Sequence, residues 1–379
     1  MRIGYDASVI FSSVGGTRTY AVQLLSALFE LRSDWQYFLY ARNDQQVAEL
    51  REMWPLAIAH PIAVTGSPNT LRTQSRLPAA LRRDGINLYH SLGYFLPLGW
   101  RGPKVVTIHD MNIYVSWRHW MRRGKLLNWA DMALQVPLAA RAAMRILTDS
   151  ESSSRLIQQI LHVDERKLVV VPLAPDPYFD QAPSQAEQAE ASAVVGEGRF
   201  VLFVGILSPQ KNLGLLVRAF ARSGLGKDGV SVVLAGSDRE GEGAALTRLA
   251  ASLGIAESLN VTGYVSKAQL RALYHRADAV VLPSHGEGFG LPLVEAMAGG
   301  APVLAARAQS LPEVVGEGGE LFPPDDVEAL ASLLRRVHDD ARFRADLVRR
   351  GRMRRGDFSW QAAAEATAGA YEAVLSSSR

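Results

Sequence analysis

The residues best able to do chemistry lie in the run GEGFGLPLVEAMAGG, residues 286–300 of a 379-residue chain. Glu287 sits there among Gly286, Gly288 and Gly290, and Glu295 follows eight positions later. An apolar run, Ala279–Leu282, ends just ahead of the glycines, and a helix is expected to start near Leu291. Glycine lets the backbone come close to a ligand, so the free amides of Gly288–Leu291 can donate to anionic or hydroxyl oxygens. Two carboxylates can accept sugar hydroxyls, one per ring, which suits a ribose and a hexose on either side of a diphosphate. A capping turn with a surface glutamate does not account for three glycines and two carboxylates converging on one loop.

Fainter signals sit in other loops. Lys211 follows FVLFVG and stands where the next helix starts. A cation there opposes the helix dipole and points to a bound anion such as a diphosphate, although a solvated lysine fits the residue in isolation equally well. Gly15, Gly16 and Arg18 lie between the first strand and the first helix. The glycines admit a ligand and Arg18 suits a phosphate, yet the same residues make an ordinary strand-to-helix turn. His109, at the end of VVTIHD, reads on its own as a satisfied structural histidine, and Asp110 as an orienting or turn-capping residue. The stretch Trp117–Lys125, WRHWMRRGK, is either a basic, aromatic edge for a membrane surface or lipid-linked acceptor, or a solvated helix start anchored by two tryptophans.

The elements that must hold these loops follow from periodicity. Strand runs are expected at Arg2–Tyr5, Tyr37–Tyr40, Ile58–Val64, Asn87–His90, Val105–Ile108, Ile146–Thr148 and Leu168–Val171. They restart at Phe200–Val204, Ser231–Ala235, Asn260–Gly263, Ala279–Leu282, Pro302–Leu304 and Glu320–Phe322. Amphipathic stretches such as Tyr20, Leu24, Leu28 and Leu31 separate them. This alternation is the α/β pattern of two doubly wound parallel sheets with a cleft between them. Residues 1–180 make the first domain and 199–359 the second. The small, polar stretch 181–198 reads as a linker or tethered helix, and a terminal helix runs from about Trp360 toward residue 379.

Composition narrows the classes. No cysteine is present, which excludes disulfides, thiolate zinc sites, iron–sulfur clusters and cysteine nucleophiles. Hydrophobic residues at 48% and charged residues at 21% exclude a disordered chain. The net charge is 41 − 38 = +3, with 20 − 15 = +5 over residues 1–180 and 21 − 23 = −2 over the rest, too little for nucleic acid. Neither a signal core nor an apolar run of about 18 residues occurs, so the chain is expected to be cytoplasmic. The run Gly286-Glu-Gly288-Phe-Gly290 does not have the dinucleotide G-x-G-x-x-G spacing, and the G-x-S-x-G elbow, the Walker loop and D-x-D pairs are missing.

Together these motifs resemble the retaining glycosyltransferases of family 4, which have the GT-B fold. The resemblance rests on Glu287 and Glu295 in their glycine-rich run, Lys211-Asn212 after the glycine-ended strand, and SLPEVVG at 310–316. Gly15-Gly16, His109-Asp110 and Asp149-Ser-Glu-Ser add to it. It implies an N-terminal acceptor domain, a C-terminal nucleotide-sugar domain and a last helix that crosses back to the first. It implies that Lys211 meets the diphosphate, Glu295 the ribose, Glu287 the transferred sugar and His109 the same sugar from the other domain. Gly205, Asn212, Gly288, Phe289, Gly290 and Leu291 would line the donor loops, Gly263 and Val265 would meet the base, and Gly15 and Gly16 would close on the phosphates. Ile206 and Gln210 stand where many members carry arginine, which leaves Arg18 or another arginine of the first domain as a replacement cation.

The expected activity is a metal-independent, cofactor-free retaining hexosyl transfer. GDP-mannose is the favoured donor and a UDP-sugar a close second. The acceptor is a glycan or lipid-linked glycan of surface-polysaccharide synthesis, with peripheral contact at the inner membrane face. The alternatives are an epimerase or hydrolase on the same scaffold, or a non-catalytic nucleotide-sugar sensor.

Overall fold

The β-branched and aromatic runs become strands that are buried at the centre of each sheet and partly exposed at its edges. The computed structural model describes residues 1–12, 15–62, 72–115, 126–238 and 241–377. Its first sheet contains β1 (Arg2–Asp6), β2 (Gln36–Ala41), β3 (Ile58–Pro61), β4 (Leu88–Ser91), β5 (Lys104–Thr107), β6 (Arg145–Thr148) and β7 (Leu168–Val170), in the order β3-β2-β1-β4-β5-β6-β7. The second contains β8 (Phe200–Val204), β9 (Ser231–Ala235), β10 (Leu259–Gly263), β11 (Ala279–Leu282), β12 (Val303–Ala306) and β13 (Glu320–Phe322), in the order β10-β9-β8-β11-β12-β13. Every neighbouring pair is parallel, as continuous apolar strands such as FVLFV require once helices cover both faces.

In each sheet the strand order reverses, between β1 and β4 in one and between β8 and β11 in the other. Chain leaving the strands on either side of such a point turns opposite ways and opens a crevice at their carboxyl ends. The loops after β1, β8 and β11, which carry Gly15, Lys211 and Glu287, are thus the ones that the topology sets at a crevice.

The chain divides into two units: Met1–Leu173 with Ser359–Arg379, and Ala174–Phe358. The last helix, Trp360–Ser376, lies in the first unit. Ser359 caps it through the amides of Gln361 and Ala362, and Trp360, Ala363, Ala364, Thr367, Ala368, Tyr371 and Val374 form its buried face. That spacing of three and four packs it beside the helix Gly16–Leu31.

Of the two expectations for 181–198, a linker or a tethered helix, the structure has the helix. Gln185–Val195 is a helix inside the second unit. A capping box joins Ser184 and Glu187, and Ala191 is fully buried. Glu187 also pairs with Arg271 and accepts from the Tyr178 hydroxyl. Polar composition suggested a tether; the S-x-x-E cap and the paired glutamate supply the anchors that few apolar residues could not. The passage between units falls at Leu173–Ala174 rather than near residue 180.

Candidate active site

In the second unit two loops are stitched together at the strand-order reversal. The first leaves β8 at Gly205, where a close backbone approach leaves no room for side chains. A Cβ on neighbouring Gly236 would lie 1.8 Å from the Gly205 carbonyl oxygen, and both glycines hold positive φ (149° and 152°). The Gly205 amide donates to Ala235 O. A short 3₁₀ turn, Pro209–Lys211, follows, and Asn212 in the left-handed conformation leads into the helix Leu213–Ser223. The second loop leaves β11. Gln210 Nε2 donates to Gly286 O (2.9 Å) and the His285 amide donates to Gln210 O (3.0 Å), which fixes one loop against the other.

This clamp brings Lys211 onto Glu287. Its ammonium donates to both carboxylate oxygens, at 2.6 and 2.8 Å, and Ser284 Oγ donates to Oε1 at 2.5 Å. Both side chains are mostly buried, at 22% and 13% exposure. Glu287 therefore neutralises the cation that stands unfavourably at a helix start. Ser310 Oγ, 2.8 Å from Glu287 O and 3.1 Å from Phe289 O, holds the loop from beneath. Gly290, at φ 100°, precedes the helix Leu291–Ala298; the Leu293 amide donates to Gly290 O at 2.9 Å, Pro292 has no N–H, and the Leu291 amide stands at the helix start with no carbonyl four residues back inside the helix.

Glu295 lies on that helix, 7% exposed, and accepts from the Tyr274 hydroxyl at 3.0 Å. Burial pushes its carboxyl up to about 8; the Tyr274 bond opposes this, Asp176 adds to it and Lys267 opposes it. Lys267 is itself paired with Asp176 at 2.5 Å.

In the first unit His109 lies just beyond β5. Its Nδ1 is 2.9 Å from Asp149 Oδ2 and its Nε2 is 3.3 Å from Leu92 O. Burial alone would push the imidazole down, but the Asp149 carboxylate, acting as charge and hydrogen-bond partner with Asp110 adding, holds it above its ordinary value. Tyr20 packs edge-on against the ring, centroids 4.7 Å apart. Asp110 accepts from the Asn112 amide and so closes a turn. Gly15, at φ 87°, precedes the helix Gly16–Leu31, and Gly15, Gly16 and Arg18 are exposed.

The sequence-derived set thus falls into two groups. Lys211, Glu287, Gly288, Phe289, Gly290, Leu291 and Glu295 share the β8 and β11 loops and the helix after them. His109, Gly15, Gly16 and Arg18 belong to the first unit. Asn212 has a local task, its amide donating to Asp325 at 3.1 Å. Gly263 ends β10 with φ 73°, and the Val265 side chain packs into the core. Trp117–Lys125 lies outside the described residues. Sequence reasoning missed Ser284, Ser310, Tyr274, Gln210 as a clip and Asp149 as the partner of His109. The only signal for Ser284 was its place at the end of an apolar run.

Two family models match the chain in tandem: Glycosyltransferase Family 4 over residues 14–177 and glycosyl transferases group 1 over residues 184–354. The MMP alpha-(1->4)-mannosyltransferase of Mycolicibacterium hassiacum is 32% identical over 282 residues, 72% of this chain and 66% of that protein. The D-inositol 3-phosphate glycosyltransferase of Kineococcus radiotolerans is 33% identical over 303 residues, 75% of this chain and 69% of that protein. The chain thus spans about two thirds of these relatives' lengths. Among solved structures, sucrose-phosphate synthase from Thermosynechococcus elongatus superposes with TM-score 0.78 at 22% identity over the full length of both chains. Anabaena HepE in complex with UDP-glucose gives 0.75 at 18%, covering 98% of this chain and 100% of that one. Both likenesses concern the fold, which is GT-B.

Proposed function

The chain belongs to the group 1 glycosyl transferases, and on that premise we propose that it moves a hexose from a nucleotide diphosphate sugar to a glycan or lipid-linked acceptor with retention of configuration. One observation carries the reading: Lys211 and Glu287 are held on each other at the strand-order reversal of the second unit. An arriving diphosphate offers Lys211 a stronger anion and releases the Glu287 carboxylate to accept hydroxyls of the transferred sugar. Glu295 takes the ribose hydroxyls, and the amides of Phe289, Gly290 and Leu291 take sugar and phosphate oxygens. Gly263 and Val265 meet the base through their backbone. Gly15 and Gly16 close on the phosphates, with Arg18 as the added cation.

The bond from the anomeric carbon to the phosphate oxygen breaks as the bond to the acceptor oxygen forms. The departing phosphate oxygen takes the acceptor's proton on the same face. Lys211 and the helix-start amides gain contact strength as negative charge grows on the diphosphate. His109, held protonated more readily by Asp149, donates to the sugar. The mannosyltransferase relative supports GDP-mannose as donor, with a UDP-sugar as the competing choice. Surface-polysaccharide synthesis at the cytoplasmic membrane face is the setting proposed. Among the described residues no helix is long and apolar enough to cross a membrane.

A thermal-shift panel of nucleotide sugars tests the donor, since a ligand at about 100 times its Kd adds about 2.7 kcal/mol of stability. Nucleoside diphosphate release with and without acceptor separates transfer from hydrolysis or epimerisation, and no turnover with tight binding leaves a sensor.

A further inference from the structure

Beneath His109 the first unit holds a buried chain of hydroxyls and one imidazole that spans most of the sequence. Tyr20 Oη lies 2.6 Å from Thr107 Oγ1, and Thr107 Oγ1 lies 2.8 Å from His90 Nε2. On the other side of the ring, His90 Nδ1 lies 2.5 Å from Tyr371 Oη, across 281 residues of sequence, and Tyr371 Oη lies 3.2 Å from Tyr5 Oη. All five side chains are at most 1% exposed. Burial pushes His90 down to about 3, with His109 adding, so the ring is neutral at working pH.

A neutral imidazole donates through one nitrogen and accepts through the other, which ties the two halves of the chain together. Five groups carry five hydrogens across four contacts, so one hydrogen is left over at one end. With the proton on Nδ1, His90 donates to Tyr371, Thr107 donates to His90 and Tyr20 donates to Thr107; the surplus falls on Tyr5, among Phe29 and Tyr37. With the proton on Nε2 every bond reverses, and the surplus falls on the hydroxyl of Tyr20, whose ring packs on His109.

We propose that Tyr371, on the C-terminal helix, is a positioning residue for His109: its bond to His90 Nδ1 holds that ring to one tautomer and thereby pins Tyr20, and the imidazole against it, in one orientation. This rests on the reading of His109 as a contact to the transferred sugar. The C-terminal helix is then part of how the first unit presents that contact, beyond its packing on the helix Gly16–Leu31.

The test uses the full chain with Tyr371→Phe, Thr107→Val and the double variant. Each single change is expected to lower kcat about tenfold, the kinetic equivalent of one net hydrogen bond, with KM for the donor sugar unchanged. The double variant is expected to fall no further than the worse single one, because both cut the same chain. Additive losses, or an unchanged kcat in both singles, overturn the proposal. Histidine ¹⁵N resonances of the ligand-free protein supply a readout independent of turnover. Tyr371→Phe should move the ring signals of both His90 and His109, and unmoved His109 signals overturn the proposal. If they move while His109→Ala retains full turnover, the role given to His109 fails and the positioning chain stands.

Discussion

The two units hold their polar residues in opposite ways. In the second, the reactive groups are charged and paired with each other: Lys211 on Glu287, and Lys267 on Asp176 close to Glu295. Such pairs sit at loop ends and are partly exposed, so a ligand of the right charge can exchange for one partner. In the first, the chain from Tyr20 to Tyr5 is neutral and buried, and His109, on which Tyr20 packs, is held by Asp149 as well. On the proposed function, one region is rearranged by its ligand and the other stays as it is. A low-dielectric interior makes the neutral chain directional, whereas the charged pairs gain from having an alternative partner.

The largest test of this contrast is Lys211→Ala. Losing a cation that strengthens its hold as the leaving group charges should lower kcat by about 10²–10³ with KM little changed. A folded variant with unchanged kcat removes Lys211 from the chemistry and leaves the ion pair as mere loop stitching. The glutamates come next. Glu295→Ala should weaken nucleoside diphosphate binding by about 10- to 150-fold, the loss of a hydrogen bond to a charged group. Glu287→Ala damages transfer but leaves that binding intact or slightly tighter, because Lys211 loses its resident partner. Equal losses of binding in both variants, read by calorimetry, break the division between them.

A smaller effect separates the two units by pH. The raised value of Glu295, about 8 against an ordinary 4.5, means that the folded state holds the proton more tightly than the unfolded chain. Stability from this site is therefore fully kept below about 4.5 and declines as pH rises toward 8. His109, also raised, stabilises below its unfolded value near 6.5 and loses that contribution as pH rises through its higher folded value. The signs agree and the windows differ: Glu295→Gln should flatten the melting-temperature profile from about pH 4.5 upward, and His109→Gln only from about pH 6.5 upward. Ribose hydroxyls donating to Glu295 favour its ionised form, so nucleoside diphosphate binding near pH 7 should release protons in wild type and fewer in Glu295→Gln. Calorimetry in buffers of different ionisation enthalpy reads this, and equal release in both proteins removes Glu295 from the ribose.

Legibility in the sequence followed the same divide between local and distant causes. The thirteen strands among the described residues all overlap the expected runs, most plainly at the sheet centres, where strands such as FVLFV and AVVL are covered on both faces and carry no polar alternation. Lys211, Glu287 and Glu295 could be singled out because glycines and charges crowd their own loops. Gln185–Val195 left a linker and a tethered helix equally open because its anchors, a capping box and the Glu187–Arg271 pair, leave little apolar periodicity. Ser310 beneath Glu287, Tyr274 on Glu295 and Tyr371 on His90 were illegible for another reason. Each meets its partner only through tertiary packing, from a different loop or helix, and hydroxyls carry no spacing signal of their own.

The smallest expected effect is none at all, under chelation. The chain contains no D-x-D pair, and the exchangeable charges of the second unit offer a way to hold a leaving diphosphate with protein groups alone. In the proposed mechanism Lys211 is the cation, the amides at the start of Leu291–Ala298 are donors at the positive end of a helix dipole, and Arg18 is the added cation. Turnover should therefore change less than about twofold in excess EDTA, well inside the effect of losing a single donor. The same economy bears on stereochemistry. Glu287 and Glu295 are committed to hydroxyls in this reading, so no carboxylate is left to form a glycosyl–enzyme bond, and the acceptor must attack on the face the phosphate leaves. Proton NMR of the product's anomeric coupling, recorded in chelator, reads both at once. An inverted anomeric carbon sinks front-face displacement; retention that vanishes with the metal sinks only the claim that Lys211, the amides and Arg18 neutralise the leaving group unaided.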